Sequence, residues 1–339
     1  KIKGLASNEI TSLNNQKSYL KRKLIRVGIC SEYLSFNHTV GKLYIKVLCD
    51  LLKTDLEITI YLPPGINKFN DLEIVKGYFK RVVQLPKSPY LARKTILNNN
   101  LDVLFYPDIG MSTYTYILAL SRLALVQVNS LGHANTSGIK NIDYFITSDI
   151  EPYTSDQFYT ERLIRFSRLP FNYSTPKVNE EEIRTNNLID SNKNFNIGIT
   201  QSLFKFHPSY DEVLESILNK VENSYLILIK DKCNSITYEL QSRWRNRGNL
   251  LLERSIFLDR MGNSDFINLT RSCHIMLDPF YFGSGNTFYE SMAYGIPFVS
   301  YPVNQKSKVV SAGYKQMQVK NAPVAKSCSD YVNWCEVYA

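Results

Sequence analysis

Residues 282–297 read "FGSGNTFYESMAYGIP". Gly283, Ser284 and Gly285 form a small-residue turn. Asn286 and Thr287 follow, and an apolar segment with one acid, Glu290, runs on to Gly295 and Pro297. A strand-like run, "HIMLDPF", comes just before. Strand, glycine-rich turn and helix together make an anion cradle. The first N–H groups of a helix lack intrahelical partners, the macrodipole is positive there, and glycine lets a phosphate approach the main chain. Asn286 and Thr287 add side-chain hydrogen bonds. Glu290, one turn in, can reach a group beside the phosphate, such as ribose hydroxyls. The plainer alternative is a helix capped by Ser284 or Asn286, with Glu290 as a surface acid.

The elements around this stretch alternate. "LIRVGIC", "LEITIYLP", "LDVLFYPDIG", "LVQVNSLG" and "IDYFITSD" read as strands, and "VGKLYIKVLCDLL", "PYLARKTILNNN" and "TYILALSRLA" as helices. Strands alternating with helices predict a parallel sheet with right-handed crossovers. Residues 24–173 are therefore expected to be a Rossmann-like domain, preceded by a polar linker or helix end at 1–23. A polar, Asn-rich connection at 174–194 follows. The pattern then restarts with strands "FNIGIT", "SYLILIK", "RSIFLDR", "HIMLDPF" and "IPFVSYP". The helices between them are "PSYDEVLESILNKV", "ITYELQSRWRNR", "SDFINLTRSC" and the segment after the turn. Residues 195–339 form the second Rossmann-like domain. In such folds ligands lie beyond the carboxyl ends of the strands.

At 339 residues the chain is long enough for two cores. Its 40 basic and 31 acidic residues leave a net charge of +9. The basic residues are scattered, with no basic block interleaved with aromatics, so the charge reads as a solvated surface and not as a nucleic-acid footprint. The six cysteines form no C-x-x-C pair or zinc-type cluster. They read as reduced thiols of a cytoplasmic protein. No apolar run approaches membrane-spanning length. The first residue is not Met, and the chain reads as a piece of a longer protein.

The stretch "LDPFYFGSGNTFYESMAYGIPFVSYP", residues 277–302, resembles the nucleotide-sugar segment of the O-linked N-acetylglucosaminyltransferase/SPINDLY family, glycosyltransferase family 41. Three further stretches resemble the same family in order: "RVGICSEYLSFNHTVGKL" (26–43), "RLALVQVNSLGHANTSGIKNIDYFITSD" (122–149) and "TQSLFKFHP" (200–208). The tail "SKVVSAGYKQMQV" is similar to the helix after the donor site in bacterial members. The resemblance implies a GT-B fold, two Rossmann-like domains facing each other across a cleft. It also implies inverting transfer of N-acetylglucosamine or another hexose from a UDP-sugar to a protein side chain, with no cofactor. Helical tetratricopeptide repeats upstream in the full-length chain belong to the same expectation.

The site residues follow from that resemblance. The turn and helix start, Gly285, Asn286 and Thr287, would hold the pyrophosphate, and Glu290 the ribose. Lys205 matches the family's lysine and would stabilise the charge that builds on the leaving diphosphate. Gln201 and Ser202 lie just upstream, beside the phosphates. His38, after the first strand, would take or relay the acceptor proton, with Asp108 as a rival base. Leu131, Gly132, His133 and Thr136 match the loop against the donor sugar. Ala134 stands there where most members have Pro, which implies a looser loop. Met261 and Phe266 fall where the family reads the base, although core packing is an equal reading of Phe266. Lys308 replaces an arginine common in bacterial members. No Asp-x-Asp occurs in the chain, so no metal is expected to hold the diphosphate.

Two other readings share this fold. A non-hydrolysing nucleotide-sugar epimerase would need acid/base groups flanking the sugar, and no acid pair is placed for that. The other is a nucleotide-sugar-binding scaffold that has lost activity. Retention of Lys205, His38 and Glu290 argues against it.

Overall fold

The computed structural model describes residues 24–35, 38–65, 75–173, 178, 181, 183, 189 and 193–339. The expected leading segment 1–23 lies outside these residues, as does most of the connection 174–194. The chain divides into two compact units, Lys1–Ser174 and Thr175–Ala339.

In the first unit the strands are β1 (Ile25–Cys30), β2 (Leu56–Leu62), β3 (Val82–Gln84), β4 (Leu101–Tyr106), β5 (Ala124–Ser130), β6 (Tyr144–Ser148) and β7 (Arg162–Phe166). Helices α1 (Thr39–Leu51), α2 (Pro89–Leu97) and α3 (Thr113–Ala119) lie between them in sequence. The sheet order is β3-β2-β1-β4-β5-β6-β7, and every pairing is parallel. β1 is flanked by β2 and β4, so the order reverses there. Ser31 and Glu32 leave β1 at that reversal, and Asp108 follows β4.

The expected helix over 115–124 starts two residues earlier and stops at Ala119. The buried side chain of Gln127 explains the stop. Its amide donates to the carbonyls of Ser121 (3.1 Å) and Asn141 (2.7 Å), and its oxygen accepts the N–H of Leu123 (2.9 Å). These groups satisfy backbone that a longer helix would otherwise have paired.

In the second unit the strands are β8 (Phe195–Gly198), β9 (Ser224–Ile229), β10 (Ser255–Leu258), β11 (Ile275–Leu277) and β12 (Phe298–Val299). Its helices are α4 (Pro208–Lys220), α5 (Asn234–Arg245), α6 (Leu250–Glu253), α7 (Asn263–Arg271), α8 (Asn286–Met292), α9 (Val309–Gln316) and α10 (Cys328–Tyr338). The order β10-β9-β8-β11-β12 is again parallel throughout. α4 shows why such a segment is a helix. Pro208 opens it, and the His207 side chain caps it through Ser209 N. Tyr210, Val213, Leu214, Ile217 and Leu218 form its buried stripe. They pack with Trp244, Phe280 and Tyr331 into one apolar cluster.

The reversal of strand order in this unit falls between β8 and β11. The segments leaving those two strands carry Gln201 to Lys205 and Asp278 to Thr287. Parallel sheets bind ligands at such a switch point, because the crossovers leave in opposite directions and open a crevice there.

Candidate active site

Lys205 ends a single 3-10 turn, Leu203–Lys205, just after β8. Its ammonium donates to Gln201 Oε1 (2.7 Å) and to the carbonyl of Gly283 (3.1 Å). It lies 4.3 Å from the centre of the Phe282 ring. The chain around it is fixed from behind. Arg243 grips the buried carboxylate of Asp211 through Nε (2.7 Å) and Nη2 (2.9 Å), and also donates to the carbonyl of Phe206 (3.0 Å). Burial pulls the Lys205 ammonium below the ordinary lysine range, to about 8, against the opposing pull of the Asp278 carboxylate. A partly desolvated lysine of this kind gains most from an incoming anion.

The glycine-rich turn lies against that lysine. Asp278, at the end of β11, accepts the N–H of Ser284 on Oδ1 (2.6 Å) and the hydroxyl of Ser300 on Oδ2 (2.7 Å). Burial lifts its carboxyl to about 6, and the hydrogen bonds and Lys205 oppose the rise. A Cβ on Gly283 would stand 2.8 Å from Asp278 Oδ2, so no larger residue fits there without displacing the turn. The N-cap of α8 is Gly285, not Ser284 or Asn286 as the capping alternative has it, and no side chain caps this helix. Asn286 Oδ1 is buried without a hydrogen-bond partner. α8 itself has only seven residues. The helix that supplies the expected dipole is thus short, and Lys205 is the full positive charge beside the turn. Glu290 is buried, 4 % exposed, so it is not the surface acid of the plainer alternative.

Beside the turn is a pocket of about 200 Å³. Gln201, Ser202, Met261, Phe266 and Thr287, all singled out from the sequence, line it with Thr200, Ile229, Lys230, Asp231 and Arg260. Phe266 sits half-buried in the first turn of α7 and borders this space. Lys308 is placed elsewhere, at the N-cap of α9, and is not among the lining residues. Three residues with a part here escaped the sequence reading. Asp278 looks like an ordinary Asp-Pro turn after a strand. Lys230 and Arg260 look like solvated cations at strand ends. The strand-end position was the one signal available for all three.

The remaining candidates belong to the first unit. His38 is the N-cap of α1: its Nδ1 accepts the N–H of Val40 (3.2 Å) and its ring stacks on Tyr33 at 4.4 Å. With Nδ1 accepting, the neutral ring carries its proton on Nε2. Burial lowers its pKa. Asp108 is fully buried. Its Oδ2 accepts Ser31 Oγ (3.1 Å) and Glu32 N (2.8 Å), and its Oδ1 has no partner. Burial lifts it to about 6. Leu131 is buried, and a Cβ on Gly132 would meet the Pro107 carbonyl at 1.8 Å. The His133 ring lies over Gly110. Thr136 donates to Glu161 Oε2 (2.6 Å), and Ser137 N donates to Glu161 Oε1 (2.7 Å). The loop that Ala134 was expected to loosen is thus fastened two residues further on by a buried carboxylate. Asn37, part of the first family-like stretch, lies outside the described residues.

Two parallel α/β units in series, the second with a lysine, a glycine-rich turn and a pocket at its switch point, define a GT-B fold. The comparisons agree. The chain superposes on a Thermobaculum terrenum O-GlcNAc transferase mutant with a TM-score of 0.79 at 19% identity, over 99% of this chain and 63% of that one. It superposes on Anabaena HepE in complex with UDP and glucose with a TM-score of 0.56 at 12% identity, over 92% of this chain and 89% of that one. In sequence it is 23% identical over 243 residues to UDP-glucose:protein N-beta-glucosyltransferase of Actinobacillus pleuropneumoniae serotype 5b, covering 71% of this chain. It is 28% identical over 304 residues to a probable UDP-N-acetylglucosamine–peptide N-acetylglucosaminyltransferase SPINDLY of Eustoma exaltatum, covering 86% of this chain. The match spans 38% of the first relative's length and 32% of the second's. No family model matches the chain. No helix among the described residues is long and apolar enough to cross a membrane.

Proposed function

We propose that this chain is the catalytic region of an inverting glycosyltransferase that moves a hexose, N-acetylglucosamine or glucose, from a UDP-sugar to a side chain of a protein acceptor. One observation carries the reading: the Lys205 ammonium is bound to the carbonyl of Gly283 in the glycine-rich turn, next to a pocket lined by Thr287, Met261 and Phe266. In this reading a nucleoside takes the pocket and its diphosphate lies against the turn. Lys205 then meets the charge that develops as the sugar–phosphate bond breaks, where a fixed cation has most effect on rate. The curated relatives named above are protein glycosyltransferases using UDP-sugars, and that supports the donor and acceptor classes.

In this reading the reaction needs no metal and no bound cofactor, since Lys205, Thr287 and the start of α8 serve the diphosphate. Of the two candidate bases, Asp108 is fully buried, its unpartnered Oδ1 included, whereas His38 is half-buried and has committed Nδ1 to its helix cap. His38 is then a donor through Nε2. The six cysteines are all free thiols, which favours the cytoplasm.

The test is incubation with labelled UDP-N-acetylglucosamine or UDP-glucose and a protein lysate. Label on protein, with the anomeric configuration inverted, is the expected result. An isomerised free sugar nucleotide, or binding with no turnover, would replace this reading with the epimerase or the scaffold.

A further inference from the structure

We propose that Asp278 is a positioning residue of the donor site: it fastens the turn 282–285 so that the Gly283 carbonyl holds the Lys205 ammonium. The inference rests on Lys205 being the cation of that site. Every polar group of Asp278 is engaged. Its N–H donates to the carbonyl of Val299 (2.9 Å), and its own carbonyl accepts the hydroxyl of Tyr331 from α10 (3.0 Å). That hydroxyl is also 2.9 Å from the hydroxyl of Tyr210 on α4. The carboxylate then takes Ser284 N on one oxygen and Ser300 Oγ on the other. Gly283 lies directly on it, its N–H bonded to the Lys306 carbonyl (3.1 Å) and its own carbonyl turned to Lys205. The side chain of Asp278 thus ties the turn to the segment after β12, while its main-chain carbonyl ties the same residue to α10 and, through Tyr331, to α4.

A neutral amide could accept the Ser284 N–H equally well, so the charge needs its own explanation. A buried carboxylate is costly unless paired and hydrogen-bonded. Here it lies across Gly283 from a lysine whose burial works against protonation, and a negative charge at that place favours the ammonium. The other ionisable groups around the pair are Tyr210, Tyr314 and Tyr331, all raised by burial, the buried thiol of Cys335, also raised, and Lys306, 5.3 Å from the Phe282 ring that Lys205 shares. His207 packs against Tyr281 at the exposed end of the turn.

The test is Asp278→Asn, which keeps size and an acceptor and removes the charge. In ¹³C-lysine-labelled protein the Lys205 signal is identified by its loss in Lys205→Met. Its titration should fall by one unit or more in Asp278→Asn, and the alkaline limb of kcat should move to lower pH with it. An unmoved Lys205 titration in the folded variant overturns the proposal. Ser300→Ala provides a second arm, since it keeps the charge and removes one tether. Amide exchange across 282–287 should then quicken tenfold or more while Lys205 titrates as in the parent protein, and unchanged exchange overturns the fastening. If Asp278→Asn does not fold, this arm decides alone. The Lys205 titration and the amide exchange need no substrate. If the parent protein transfers no sugar from any nucleotide donor, the functional reading fails and the positioning claim is still decided.

Discussion

Lys205 is a buried cation hydrogen-bonded to uncharged groups. It is bonded to two neutral oxygens and sits over an aromatic ring, yet burial makes its charge expensive. Two outcomes are expected. Lys205→Ala should lower turnover by about 10²-fold or more, with a smaller loss of donor affinity, because the cation acts mainly on charge that appears at bond cleavage. Steady-state kinetics with whichever donor the labelling test selects will separate the two, and an Ala variant keeping a tenth of normal turnover removes Lys205 from the mechanism. The second outcome concerns protons. The folded pKa lies below the unfolded value, so the free enzyme loses the Lys205 proton as pH rises through about 8. A bound diphosphate raises that pKa again. UDP binding near pH 8 should therefore take up about half a proton per site, by linkage between the two pKa values. Calorimetry in buffers of different ionisation enthalpy reads this directly, and uptake that persists in Lys205→Met would assign it to another group.

At the scale of elements, the site depends on parts that never touch a ligand. Asp211 on α4 accepts Arg243 in bidentate fashion and also the Trp244 indole N–H (2.9 Å), and Arg243 in turn holds the Phe206 carbonyl next to Lys205. Removing a buried partner of an ion pair strands the other charge. The Arg243 side chain is 32% exposed, so water recovers part of that loss. Asp211→Ala should destabilise the protein by about 2–3 kcal/mol, below the full cost for a buried pair. Urea unfolding checks this, and a change within about 0.5 kcal/mol, as for an ordinary surface substitution, would show that the pair is not structural. These same elements show how much was legible in advance. The regular βα alternation was, because buried parallel strands read as apolar runs and α4 keeps its 3.6-residue stripe. β7 was not, because Arg162, Ile164 and Phe166 are exposed on an edge strand and give no buried run. The end of α3 was not, because a glutamine side chain from β5 decides it. Within the site, Gln201, Ser202, Thr287, Met261 and Phe266 do meet at one pocket. Asp278 was missed because its role comes from tertiary hydrogen bonds to residues six and 22 positions away.

For the whole molecule the question is how a chain with this charge distribution manages a multiply charged leaving group. A nucleoside diphosphate carries about two to three negative charges near neutral pH, by analogy with the second phosphate ionisation near 6. A metal-dependent transferase would place carboxylates around a cation there. Among the described residues no group of three or more His, Cys, Asp or Glu is arranged to hold one. Asp278, the acid nearest the turn, has both carboxylate oxygens committed to Ser284 and Ser300. What faces the turn is Lys205, with Lys306 near the same ring. Transfer should therefore survive excess chelator with less than about a twofold loss of kcat, a change of under half a kcal/mol in barrier. The measurement compares turnover with chelator, and then with Mg²⁺ or Mn²⁺ restored in excess. Salt gives an independent check. Attraction between exposed charges is screened over about 10 Å at 0.1 M ionic strength, whereas a buried lysine against a bound phosphate is screened far less. Raising ionic strength should thus weaken donor association while leaving kcat nearly constant. Complete loss of turnover with chelator, restored by one of the two ions, would instead mean that the diphosphate brings its own cation and that Lys205 alone does not carry the charge.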